Sequence, residues 1–461
     1  MLILFQFLPD SQILEHIQYN ASKAYCQAPV RRNVVKLHQI MKTMVEFIPL
    51  LYTCRNTFDV SWMDRMPGRP KLLAYPDITK WGMNEEMSKS IQIIAKNVDD
   101  NLIDLKGNIS KISEHEFVVS RINQTPEVFV KTVRRKDIKR EVLTNKYENL
   151  FVLFIDSASR AFVEVYLPKS LKLLKKWKDE LRVNYHTYLR YQHFPGRSRG
   201  NRTPFFVGYS YEYLKSQAAF TQPTFTKLLQ NEGFISGYVT SSCQLGFWGP
   251  MAVNFTWLFN VPRKFFVDEN HHQMAFCDRN FLDHQMPLRF DKGPWAIGKH
   301  CIYGKQISEL AGNYASSFFH TYNDKKKFMY VDLLELHDPI GTNLESIDDS
   351  IFETLRSLEE FTSNTTFVIH ADHPHLTLLD KPFHLPYLSI IRPKHHQIPT
   401  QSELNQQKLY TVYDLRSTLL DIFSIEKHRE QEALGRNLYT DELPSRTCEQ
   451  VHIPYGICNC N

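Results

Sequence analysis

From Asn149 onward, short continuous apolar runs alternate with amphipathic stretches. NLFVLFID (149–156) is an apolar run that closes on an acid. Behind it, Leu167, Leu171, Leu174, Trp177 and Leu181 recur at helical spacing. GFISGYVTS from Gly233 predicts a strand, and NYASSFFHTYN from Asn313 a helix. KKKFMYVDLLELHD is a further apolar run, closing on His337 and Asp338. DDSIFETLRSLEEFT puts Ile351, Leu355 and Leu358 on one helical face, and TTFVIHADH follows at once. YTVYDLRSTLLDIF from Tyr410 predicts a closing helix.

Runs apolar at every position suit strands buried on both faces, and their alternation with helices predicts an α/β domain. The expected architecture is a largely parallel central sheet flanked by helices. Ligands of such sheets bind beyond the carboxyl ends of the strands. Three predicted strands end at Asp156, at His337–Asp338 and at Asp372–His373. If these strands are neighbours, their polar ends meet in one crevice.

The pattern before this region is weaker. Residues 1–145 are expected to form an accessory region, with a Pro- and Gly-containing loop from Trp62 and short strands at HEFVVSRI and PEVFVKTVR. The α/β domain is assigned to 146–425, and 426–461 to a cysteine-containing tail.

Composition narrows the class. The 461 residues are 43% apolar and 23% charged, with a formal charge of +5, as in an ordinary globular protein. The basic stretches KTVRRKDIKR and SLKLLKKWKDELR are interleaved with acids and apolar residues. They read as solvated faces, so no nucleic-acid partner is expected. No run of 18 apolar residues occurs. MLILFQFLPD lacks the basic leader and cleavage site of a signal peptide, so membrane association is expected only through an anchor outside this sequence. Eight cysteines without a CxxC pair favour disulfides over a zinc site. Sequons at Asn20, Asn108, Asn123, Asn201, Asn254 and Asn364 point the same way, toward the secretory-pathway lumen or the exterior.

The candidate chemistry lies in FVIHADHPHL (367–376) and the other strand ends. Carboxylates and imidazoles are the usual donors to zinc, and carboxylates also suit manganese. Asp372 and His373 are the leading ligand candidates. His370 lies inside the strand and reads as packing, His375 lies beyond it, and Asp156 could also be a helix cap. A bound dication would polarise a phosphoryl or sulfuryl oxygen. The attacking group would be water or a side-chain hydroxyl. In RGNRTPFFVGYS, Thr203 before Pro204 reads as an N-cap with proline at the first helical position, beside N–H groups that favour an anion.

These motifs together resemble the alkaline-phosphatase-like superfamily, which includes sulfatases. Within it, the chain is most similar to an animal family called "domain of unknown function two-two-nine", from about residue 145 to 461. FIDSASRAFVEVYLPKS resembles its opening strand and Asp-Ser-x-Ser-Arg signature. AFCDRNFLDH and GKHCIYGK resemble its central cysteine motifs, and YDLRSTLLDIF and RTCEQVHIPYGICNC its closing helix and tail. LLELHDPIG carries Leu336 where that family has serine in Ser-His-Asp; VIHADH sits at its Ser-Asp-His-Gly segment, with Pro374 for the glycine. The resemblance implies a divalent metal, zinc or manganese, held by Asp156, Asp372 and His373 with His337 and Asp338 nearby. It implies a nucleophile near Thr203, where the family reads Asn-Thr-x-Pro and this chain reads Asn201-Arg202-Thr203-Pro204. Asn201 and Arg202 are assigned to substrate binding. His384 is a possible further ligand.

The function implied is hydrolysis of a phosphorylated or sulfated substrate. The alternative is a catalytically degenerate extracellular binding protein on the same fold. VIHADH also resembles the His-x-His-x-Asp-His motif of metallo-β-lactamase-like hydrolases, with Val368 replacing the first histidine; that reading requires a sheet sandwich.

Overall fold

The computed structural model describes residues 92–96, 102–104, 116–122, 125–135, 138, 148–180, 182–216, 223–240, 272–273, 301–302, 305–337, 344–374, 385–396, 406, 408–425, 435–439, 446–454 and 457–458. Four strands precede the main domain: β1 (Gln92–Lys96), β2 (Leu102–Asp104), β3 (Phe117–Ile122) and β4 (Thr125–Val130). They form an antiparallel sheet in the order β2-β1-β3-β4. The chain leaving β4 is bound to the main domain: the Thr132 amide donates to Ser317 Oγ at 3.0 Å, and Arg134 pairs with Asp324 at 2.7 Å.

The main domain is built on β5 (Asn149–Ile155), β6 (Val183–Thr187), β8 (Ile235–Thr240), β9 (His272–Gln273), β12 (Lys327–Leu333), β13 (Thr365–His370) and β14 (Leu388–Pro393). Two-residue ladders join β7 (Arg190–Tyr191) to β15 (Leu409–Tyr410) and β10 (Cys301–Ile302) to β11 (Lys305–Gln306). The seven-stranded order is β6-β14-β13-β5-β12-β8-β9. Only β14 runs against the others in this sheet. This is the largely parallel sheet the sequence predicts, not a sandwich, so the metallo-β-lactamase-like reading falls.

Period-two alternation divides each central strand between two cores. Phe151, Leu153 and Ile155 of β5 face one, with Met329, Val331, Phe367 and Ile369. Leu150, Val152 and Phe154 face the other, with Phe328, Tyr330 and Val368. The first face is covered by α1 (Arg160–Tyr166), α2 (Pro168–Asp179), α6 (Ile307–Thr321) and α7 (Leu344–Ser357). The second is covered by α3 (Arg197–Val207), α5 (Phe225–Asn231) and α8 (Val412–Ile422), with the short α4 (Tyr211–Ser216) following α3. Helix α2 stops at Asp179, short of Leu181, which lies outside the described residues. The helix expected from Asn313 begins earlier, at Ile307.

One expected boundary is wrong. Thr203 is not an N-cap and Pro204 does not open a helix. Helix α3 begins seven residues earlier, at Arg197 after an N-cap at Gly196, and carries Pro204 in its interior. The proline forgoes the bond its missing N–H would have made to the Gly200 carbonyl, and an interior proline ring crowds that carbonyl. Burial of Arg202, Phe205 and Phe206 holds the helix instead. At its far end, Gly208 (φ 77°) closes the turn, and Arg416 donates to the carbonyls of Phe205 and Phe206 at 2.9 and 3.3 Å. The tail is tied by a Cys448–Cys458 disulfide and by Arg446, which pairs with Asp414 at 2.7 Å.

Candidate active site

Strand β5 lies between β12 and β13, in register such that Phe154 is level with both Asp332 and His370. All three strands therefore end at one edge. Asp156 follows β5, and Asp372 and His373 follow β13. One donor atom from each of these three lies within 4.8 Å of the others, and all three residues are buried. Asp156 is not the cap of α1: that is Ser159, whose Oγ accepts from Phe162 N at 3.2 Å.

The turn after β5 is shaped around these carboxylates. Ser157 adopts φ 62°, a left-handed conformation that a non-glycine residue adopts at a cost. In that pose its amide donates to Asp372 Oδ1 at 3.1 Å and its hydroxyl to Asp156 Oδ1 at 2.8 Å. The His373 amide also donates to Asp372 Oδ1, at 2.8 Å. Asp372 Oδ2 is buried, receives no hydrogen bond among the described residues, and lies 3.6 Å from His373 Nε2. Burial alone would raise the Asp372 pKa; His373 and then Arg202 outweigh it and hold the carboxyl below its usual range.

His373 Nδ1 lies 2.8 Å from the Pro374 carbonyl, which can only accept, so Nδ1 carries a proton. In the neutral ring Nε2 then offers a lone pair toward the two carboxylates. An unengaged buried carboxylate oxygen, a second carboxylate and an imidazole lone pair, this close together, are a donor set that fits a divalent cation such as zinc.

A hydroxyl meets this cluster, and it belongs to Ser198. Its Oγ lies 3.2 Å from Asp156 Oδ2 and 3.2 Å from His373 Nε2. Ser198 is in the first turn of α3, where helix N–H groups favour anions. The loop before it is folded back onto that turn. Both ends of the Asn201 amide bind the Phe194 backbone, at 2.6 and 3.0 Å, and Gly200 packs on the Pro195 carbonyl so closely that a Cβ would stand 1.8 Å from its oxygen.

The expected residues therefore separate. Asp156, Asp372 and His373 come together. Thr203 lies five residues beyond Ser198, about 7–8 Å further along the helix; its Oγ1 is buried with no hydrogen-bond partner among the described residues. Asn201 and Arg202, read as substrate-binding, are engaged within the protein. Arg202 is fully buried, with Nη1 3.5 Å from Asp156 Oδ2 and Nη2 2.7 Å from Asp332 Oδ2. His337 ends a short 3-10 helix (Glu335–His337) after β12; its side chain, with Asp338, His375 and His384, lies outside the described residues, as does the whole of AFCDRNFLDH. His370 is packing, stacked on Phe205 at 5.2 Å and edge-on to Phe154 at 5.1 Å.

Three residues escape the sequence reading. Ser198 sits in a polar segment without helical periodicity. Asp332, an acid inside an apolar run, was the visible signal for a buried charge. Tyr238 donates to it at 2.6 Å. Burial raises the Asp332 pKa, while the Arg202 charge and the Tyr238 hydrogen bond work the other way.

No protein-family model matches the chain, and no curated protein does. Solved structures do. The chain is similar to a protein in the alkaline phosphatase superfamily from Vibrio parahaemolyticus, at 14% identity over 68% of this chain and 76% of that one, with a TM-score of 0.43. It is similar to the C-terminal periplasmic domain of EptC from Escherichia coli, solved in complex with zinc, at 12% identity over 70% and 98%, TM-score 0.46. A third is the lipoteichoic acid synthase LtaP from Listeria monocytogenes, at 11% identity over 65% and 79%, TM-score 0.45. A member of the alkaline phosphatase superfamily is thus among its structural neighbours, while the narrower "two-two-nine" family has no match.

Proposed function

We propose that the protein is a metal-dependent hydrolase of phosphate or sulfate esters, with Ser198 as its attacking hydroxyl. Support comes from one observation: Ser198 Oγ touches both Asp156 Oδ2 and His373 Nε2, two of the three clustered donors. Zinc or manganese held by Asp156, Asp372 and His373 would supply Lewis-acid stabilisation of the charge that develops on the ester. His337 and Asp338, which follow β12 in the sequence, are retained as further ligand candidates.

The chain's own groups serve the rest. With the His373 Nε2 lone pair given to the metal, the acceptor left for the Ser198 proton is Asp156 Oδ2. Attack forms a bond from Oγ to phosphorus or sulfur and breaks the bond to the ester oxygen, which leaves as the alcohol after taking a proton. Water then cleaves the seryl ester, releasing phosphate or sulfate and restoring the hydroxyl. The amides of the first turn of α3 suit the anionic oxygens. Thr203, Asn201 and Arg202 contribute indirectly, through the helix, the entry loop and the carboxylate they hold. The Cys448–Cys458 disulfide supports a location in the secretory lumen or outside the cell.

The test is hydrolysis of aryl phosphates and aryl sulfates with added zinc or manganese. Ser198→Ala should lower kcat by about a thousandfold or more, and Thr203→Ala by less than about tenfold. The reverse order would restore Thr203 as nucleophile. Metal uptake without hydrolysis in the wild type would favour the binding-protein alternative.

A further inference from the structure

Arg202 is the one cation in direct contact with the donor cluster among the described residues, and it is enclosed on all sides. Its guanidinium lies 4.1 Å over the Phe154 ring. Phe154 stacks on Tyr330, and Tyr330 on Tyr238. Asp332, its closest partner, is held in turn by the hydroxyls of Tyr238 at 2.6 Å and Thr240 at 3.3 Å. Ser198 and Arg202 are one helical turn apart on α3, and both reach the same atom, Asp156 Oδ2. Asp156 therefore faces the donor cluster on one side and a fixed guanidinium, shared with Asp332, on the other.

We propose that Arg202 is a built-in second cation: it fills the place between Asp156 and Asp332 that a second dication would otherwise take, and so fixes the site at one metal ion. This rests on the metal centre proposed above. The charges support it. Asp156, Asp372 and Asp332 carry three negative charges, and Arg202 with one dication carries three positive. His373, its Nδ1 proton directed at the Pro374 carbonyl, is a neutral donor. Arginine is the side chain suited to this place, because its guanidinium keeps its proton when buried and presents two N–H groups to two carboxylates. Removing it would leave Asp332 buried without a counter-charge, beside a second carboxylate that already binds metal.

Metal content after dialysis against zinc, and separately manganese, at pH 8 tests this, with calorimetric titration as the second measurement. One ion is expected in the full-length wild type, two in Arg202→Gln, and one again in Arg202→Gln/Asp332→Asn. One ion in Arg202→Gln, or two in the wild type, overturns the inference and leaves the metal centre standing. Zero in the wild type removes the metal centre itself, and the inference with it. If Arg202→Gln does not purify folded, refolding in excess dication decides: recovery of the fold supports the inference, and failure to recover overturns it.

Discussion

The Ser198 hydroxyl lies 3.2 Å from His373 Nε2, joining the first turn of α3 to the end of β13 across 175 residues of sequence. The contact sets a hydroxyl against a ring nitrogen whose lone pair is free, because the other nitrogen donates to the Pro374 carbonyl. The two histidines in this segment then have separable roles. His373→Ala should release the metal. His370→Phe should keep it, because His370 is stacked among aromatic rings and burial pulls its pKa down to about 3, leaving it neutral. Metal analysis of dialysed variants checks this; loss of metal from both would place His370 in the ligand set.

The entry to α3 should be intolerant of a single methyl group. Gly200→Ala places a carbon 1.8 Å from the Pro195 oxygen, so the loop must leave the first turn of the helix. The expected cost is about 1–3 kcal/mol of stability. A displaced Ser198 should lower hydrolysis by about a hundredfold at temperatures where the variant remains folded. Urea denaturation alongside kinetics measures both. A wild-type rate would show that this contact does not position Ser198.

Strand ends opposite the site carry an acid-sensitive clamp. Glu148, just before β5, is bonded to His396 at 3.0 Å, to Arg392 at 3.2 Å and to the Thr366 hydroxyl. Burial would raise its pKa, but the His396 hydrogen bond, Arg392 and Thr366 together hold it below the usual value. A depressed folded pKa means stabilisation present above the unfolded value, about 4.3, and lost as pH falls through the folded one. Urea melts from pH 6 to 3 should show an acid limb that is shallower in Glu148→Gln. Equal slopes would contradict the clamp.

The disulfide closes a short loop, with a sequence separation of 10. Loop entropy of this size is worth about 2–3 kcal/mol. Replacing Cys448 and Cys458 with serine should lower Tm, and reductant should lower the wild-type Tm toward the same value. A Tm insensitive to reductant would show that the pair does not form.

Much of this fold is legible in the sequence because its central strands are buried on both faces. NLFVLFI, KFMYVDL and TTFVIH are nearly unbroken apolar runs, and polar residues directly after such runs mark the carboxyl edge of a parallel sheet. That logic finds Asp156, Asp372 and His373. It does not find Ser198, because RSRGNRTPFFV has two glycine and proline interruptions and no apolar period; tertiary contacts make it a helix, namely Asn201 on Phe194, Arg202 on Asp332 and Arg416 on its last carbonyls. The Thr203–Pro204 pair mimics a helix start in a segment already helical. Strand β14 runs against its neighbours, a direction set by pairing with β13 and β6 rather than by any local pattern.

One ion is expected among Asp156, Asp372 and His373, with Ser198 beside it. Crystals soaked in zinc and measured on both sides of the zinc absorption edge test it most directly. The expected result is a single anomalous peak within about 2.0–2.2 Å of one oxygen from each aspartate and of His373 Nε2, close to Ser198 Oγ. No peak at full soaking, or a peak bound elsewhere while these three side chains keep their present contacts, would contradict it.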